Sequence, residues 1–102
     1  MAKIFVPNRA SHDYSDAERY GELVYVTSGI QQKFNVSVMY RVWTEAFKDS
    51  SPQDMILMSG LSTMCSIGCT VFGRKHGRLN LLIWIGGRYM KRELILDNLL
   101  EE

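Results

Sequence analysis

The sequence predicts an α/β fold, and three observations carry that prediction. Short runs rich in β-branched and aromatic residues alternate with segments of helical periodicity. The run Met55 to Met58, MILM, is apolar without alternation, as a strand covered on both faces must be. Ser-Gly and Gly-Gly pairs punctuate the junctions. Strand, helix, strand, helix, strand, helix, strand is the order that yields a parallel sheet with helices on both faces, joined by right-handed crossovers. The expected architecture is a small three-layer sandwich. Its four-stranded, mainly parallel, Rossmann-like sheet has order 2-1-3-4, and an antiparallel strand is added at one edge.

Lys3 to Val6, KIFV, reads as the first strand, closed by Pro7 and Asn8; Glu22 to Thr27, ELVYVT, reads as the second. Between them Ser15 and Glu18 have capping-box spacing, in which hydroxyl and carboxylate each satisfy an orphan backbone donor, and Gly21 is placed as a left-handed stop. A helix of barely two turns follows. Residues 29–34, GIQQKF, fit a loop or the return arm of a hairpin turning at Ser28-Gly29, with loop the preferred reading. From Asn35 to Lys48 the residues Met39, Val42, Trp43, Ala46 and Phe47 fall on one helical stripe, with Arg41, Thr44, Glu45 and Lys48 opposite and Asn35 or Ser37 as the cap.

After a polar, proline-containing turn from Asp49 to Asp54, the third strand leads through Ser59-Gly60 into a helix from Leu61 to Gly73. Leu61, Met64, Cys65, Gly68 and Phe72 share a stripe while Ile67 and Val71 lie off it, so this helix is expected to be apolar round most of its circumference. Ser62, Ser66, Cys69 and Gly73 form a ridge of small residues along which another backbone, including a second subunit's, can approach. Arg74, Lys75 and His76 put positive charge at the negative end of the helix dipole, and Gly77 stops it. Leu79 to Ile85 is the fourth strand, Gly86-Gly87 a two-residue hairpin turn, and RYMKREL an edge strand whose charges discourage pairing with other chains. The tail at about 94–102, LILDNLLEE, is too aliphatic to hang in water and is expected to dock on its own domain or on a neighbour.

The whole, residues 1–102, makes one domain, and its 46% hydrophobic content supports a single core. A formal charge of +1 supplies no field to hold a nucleic-acid backbone or an anionic membrane, so nucleic acid and membrane are not expected partners. With no apolar run of spanning length and no signal-peptide core in MAKIFVPN, a cytoplasmic protein is expected. Cys65 and Cys69, four apart on a helix, are directed poorly for a disulfide and read as reduced core residues. His12 and His76 are too far off in sequence to complete a metal set, so neither metal nor cofactor is expected.

In open α/β sheets ligands bind at the carboxyl ends of the strands, where the strand order reverses. The segments there supply the candidate binding residues: Asn8, Ser11, His12 and Asp13 after the first strand; Thr27, Ser28 and Gly29 after the second; Ser59, Gly60, Ser62 and Thr63 after the third. Gly60 lets a backbone come close to a ligand, and amides at the following helix start can hold a phosphate or carboxylate. There is no G-x-G-x-x-G and no phosphate-loop motif. Ser59, Ser62 and Cys65 have no evident base, so no catalytic residue is assigned; His12-Asp13 as an acid/base pair would make a hydrolase or lyase. The leading expectation is a module binding an anionic small molecule or nucleotide. The alternative is a structural or interaction protein that self-associates through the buried-type helix and the leucine-rich tail.

The pattern HDYSxAExxGELVYVTxG, followed by D-x-I-L-x-S-G and GRLNLLIW, resembles that of small α/β proteins encoded by bacteriophages across most of the chain. The resemblance implies no particular activity. It implies a setting in the host cytoplasm and a role in phage assembly or in countering host defence.

Overall fold

The computed structural model describes residues 1–29 and 35–96; the loop reading of residues 30–34 and the tail beyond Leu96 lie outside them. Five strands form one mixed sheet: β1 (Lys3–Arg9), β2 (Glu22–Ser28), β3 (Met55–Leu57), β4 (Arg78–Ile85) and β5 (Arg88–Ile95). Their order is β2-β1-β3-β4-β5, with β1 parallel to β2 and β3, β3 parallel to β4, and β5 antiparallel to β4. A 3-10 helix (Ser15–Tyr20) joins β1 to β2, α1 (Val36–Ala46) lies between β2 and β3, and α2 (Ser62–His76) between β3 and β4.

Alternation along the strands divides the core in two. On one face Phe5 and Ile56 pack with Met39, Trp43 and Phe47 of the α1 segment and Met64 and Phe72 of α2. On the other, Ile4, Val6, Met55, Leu57 and Leu82 pack with Tyr14, Ala17 and Tyr89. β3 has residues buried on both faces, which is why its sequence shows no alternation. Each fully buried large side chain contributes on the order of 1.5–3 kcal/mol.

Polar ties lock the amino end of the sheet. Asp54, buried, accepts from the Lys3 amide at 2.9 Å and the Ser51 amide at 2.8 Å, while Asn80 donates to the Pro52 and Asp54 carbonyls at 2.7 and 2.8 Å. A second tie holds the sheet edge. The Tyr89 amide donates to Asp16 Oδ2 at 2.7 Å, and its carbonyl accepts from the Arg19 guanidinium and the Tyr20 hydroxyl. The 3-10 helix thus satisfies the outward-facing backbone at the start of β5, which would otherwise offer a pairing site.

Several local expectations are corrected. β1 does not close at Pro7 but runs to Arg9; β3 pairs only with Ile4 and Phe5, so the proline lies beyond that ladder and its missing N–H interrupts nothing there. The short helix is 3-10 and has no Ser15 cap; Asp13 Oδ1 accepts from the Ser15 amide at 2.9 Å instead. Gly21 is extended, with φ 163°, and is required by space: a Cβ there would lie 2.3 Å from the Ala2 carbonyl oxygen. α2 is not apolar around most of its surface, since Ser62, Ser66, Thr70 and Arg74 are exposed. Of the small-residue ridge, Gly73 meets side chains rather than a backbone, those of Leu79 and Leu96, and Ser62 and Ser66 are exposed.

Other readings hold. Asn35 caps α1, its Oδ1 accepting from the Val38 amide at 3.1 Å, and Gly77 ends α2 in the left-handed region with φ 68°. Gly86 and Gly87, with φ 61° and 89°, make the two-residue turn between β4 and β5. Gly87→Val is therefore expected to destabilise the protein by about 1–3 kcal/mol, read as a lower chemical-denaturation midpoint. Gly68 is tight for a different reason. A Cβ there would sit 2.6 Å from Trp43 Cε2, so Gly68→Ala should cost about 1–3 kcal/mol by overpacking, and an unchanged midpoint would contradict this packing.

Candidate functional site

The reversal of strand order falls between β1 and β3, and the segments leaving their carboxyl ends frame the candidate site. The structure divides the sequence-derived residues into two groups. In the first, Asn8 Nδ2 donates to the Gly29 carbonyl at 3.0 Å, and the Thr27 hydroxyl lies 2.8 Å from both the Pro7 carbonyl and Asn8 Oδ1. These groups join the ends of β1 and β2 to each other. Ser11, His12 and Ser28 are exposed nearby. Hydrogen bonds from Ser15, its amide first, hold the Asp13 carboxyl below its ordinary range, and the amide bond to Oδ1 fixes the carboxylate in the turn.

The second group surrounds the turn from β3 into α2. Ser59, Gly60, Ser62, Met58, Cys65 and Cys69 line a cavity of about 420 Å³ that does not extend to Asn8 or Thr27. α2 starts from Leu61 with no side chain capping its first amides, and its first turn holds no acidic residue. Gly60 has φ +79°, and a Cβ on it would meet nothing within 4 Å, so its backbone angle rather than crowding selects glycine. Cys65 donates to the Ser59 carbonyl at 3.2 Å. Burial pushes the Cys65 thiol up, and burial together with Cys65 pushes Cys69 up to about 11, so both stay protonated at neutral pH. Among the described residues no group of three or more His, Cys, Asp or Glu is placed to hold a metal ion.

Tyr14, which the sequence reading does not single out, connects the groups. Its side chain is buried, its ring centroid lies 5.0 Å from that of His12 and 6.3 Å from that of Tyr25, and its hydroxyl is 3.1 Å from Ser59 Oγ. A hydroxyl expected to meet a ligand is thus bonded within the protein. The only sequence signal for this role is an aromatic among the polar residues after β1.

A different surface is less satisfied. Trp84, Ile85, Leu94, Ile95 and Leu96, on the β4–β5 hairpin and its exit, are 43 to 59% exposed. Trp84 meets Tyr89 edge to face at 4.9 Å, leaving much of the indole in water. α2 packs over Leu79 and Leu81, nearer the start of β4, so Ile85 and Leu94 stay open on the helical side, while Trp84 and Ile95, of the opposite parity, lie on the face of the 3-10 helix.

No helix among the described residues is long and apolar enough to cross a membrane. No curated protein and no solved structure matches the chain. A family model does match, over residues 2–97, and on that match the chain belongs to the phage family described as Phage Pam3 gp32-like protein.

Proposed function

We propose that this phage protein is an interaction module, acting in the host cytoplasm, that associates with a second copy of itself through the β4–β5 hairpin. Exposed large apolar residues on one hairpin carry the reading: Trp84 and Ile85 beside the turn, with Leu94, Ile95 and Leu96 at the opposite end of the strand pair. Face contact fits better than edge pairing. The 3-10 helix covers the start of the β5 edge, and pairing two copies of β5 about a two-fold axis at Lys91 or Arg92 would set like charges opposite each other. Light scattering at tens of micromolar is expected to give a mass above 11.7 kDa, reverting to that mass in Trp84→Glu with Ile85→Glu; a monomer at every concentration would reject self-association.

A second reading rests on the cavity at the uncapped start of α2. There an anionic small molecule or nucleotide phosphate would be held by helix-start amides and by Ser59 and Ser62, Thr63 not being part of the cavity's lining, with no net positive charge required. Asn8, Ser11, His12, Asp13, Thr27, Ser28 and Gly29 would contribute only if such a ligand also reached across Tyr14. In calorimetric titration with a nucleotide panel, this reading expects binding that is weakened about fivefold by Ser62→Ala, on the order of 1 kcal/mol for one hydrogen bond, and blocked by Gly60→Val. No heat at millimolar ligand would reject it.

A further inference from the structure

The outer side of the helical layer carries a surface that none of these readings uses. Two cavities, of about 500 and 410 Å³, share Tyr40 and Thr70 and together make a groove between α1 and α2. It spans from Val36 to Lys48, about 18 Å at the rise of an α-helix. Val36, Tyr40, Ile67 and Val71 give it an apolar lining, with Val36 and Tyr40 more than half exposed. The threonines add to that character: Thr44 donates to the Tyr40 carbonyl at 2.8 Å and Thr70 to the Ser66 carbonyl at 2.9 Å, so both hydroxyls bond their own helices.

The charges along the groove are of one sign. Among the described residues Arg41, Lys48, Arg74 and Lys75 line it, and no aspartate or glutamate does. Lys75 is held by the Phe47 and Lys48 carbonyls at the end of α1, whereas Arg41, Lys48 and Arg74 form no salt bridge among the described residues. In a protein of net charge +1, this local excess has no counterpart in the groove.

We infer that the groove binds an acidic amphipathic helix of a partner protein. Its length accommodates about three helical turns, its floor suits leucines at i, i+3, i+4 and i+7, and its cations suit carboxylates flanking them. An apolar lining favours a peptide over a nucleic acid, which needs cations with stackable aromatic faces, and among the described residues Tyr40 is the one aromatic ring exposed along this groove.

The test is fluorescence polarisation with three labelled probes: a designed three-turn Leu/Glu peptide, the same peptide with lysine for glutamate, and a twelve-nucleotide single-stranded DNA. The Leu/Glu peptide is expected to bind, with affinity falling at least tenfold in Lys48→Glu with Arg74→Glu and also in Tyr40→Ala, and the Leu/Lys peptide is expected not to bind. Should the charge-reversal protein fail to fold, the salt dependence of wild-type binding replaces it, with affinity expected to fall as ionic strength rises. Equal binding of the two peptides, tighter binding of the DNA, or affinity independent of both charge and salt would overturn the inference. The hairpin variants Trp84→Glu and Ile85→Glu should leave peptide binding unchanged, so failure of the self-association reading is distinguishable from failure here.

Discussion

The contact between Trp43 and Gly68 sets the geometry of the helical layer. Trp43 is fully buried, stacks on Phe47 at 5.0 Å, and donates its indole N–H to the Met64 carbonyl at 2.9 Å, so both its apolar body and its polar edge are satisfied against α2. Only a residue without a side chain fits at position 68 beneath that ring. The two helices are held close along their inner sides, and the shallow channel left along their outer sides is the acid-free groove. Phe47 then passes the packing inward, edge to face with Phe5 of β1 at 4.9 Å and with Phe72 of α2 at 5.4 Å.

The opposite face is closed with less material, a single turn-rich segment in place of an α-helix. Tyr14, Ala17 and Tyr20 pack on the sheet, and the two tyrosines also reach its polar features. Tyr14 reaches Ser59 across the strand ends, and Tyr20 with Asp16 and Arg19 reaches the backbone of Tyr89 at the far edge. The first contact occupies a group at the reversal point where α/β sheets usually bind ligands. The second shields the beginning of the β5 edge and leaves the exposed apolar residues of the hairpin as the less satisfied surface. Both consequences favour association over small-molecule chemistry.

Much of the fold was legible because its signals are local. The periodicity of Met39, Val42, Trp43 and Phe47 marks α1, the unbroken MILM run marks a doubly covered strand, which ends one residue earlier at Leu57, and Gly86-Gly87 marks the hairpin. The errors arose where a partner distant in sequence decided the outcome. Gly21 is fixed by the Ala2 carbonyl, and the extent of β1 past Pro7 depends on β3 being short. The exposure of Ser66 and Thr70 shows that α2 is covered on fewer sides than Ile67 and Val71 suggested. The candidate site was legible only as a location. Short polar residues do cluster at the strand ends, but sequence spacing could not show that Asn8 and Thr27 bond one another, or that a tyrosine hydroxyl takes Ser59. Trp84 and Tyr40 read as ordinary strand and helix residues until the layers above them were seen to stop short.

The central claim is that the apolar hairpin, not the strand-end turn, is the working surface. Amide proton–nitrogen correlation spectra recorded over a dilution series test it residue by residue. The account predicts concentration-dependent shifts at the Trp84 indole and at the amides of Ile83 to Leu96, with Ser59 to Thr63 unmoved. Shifts confined to Ser59 to Thr63, or spectra invariant from micromolar to millimolar protein, would contradict it.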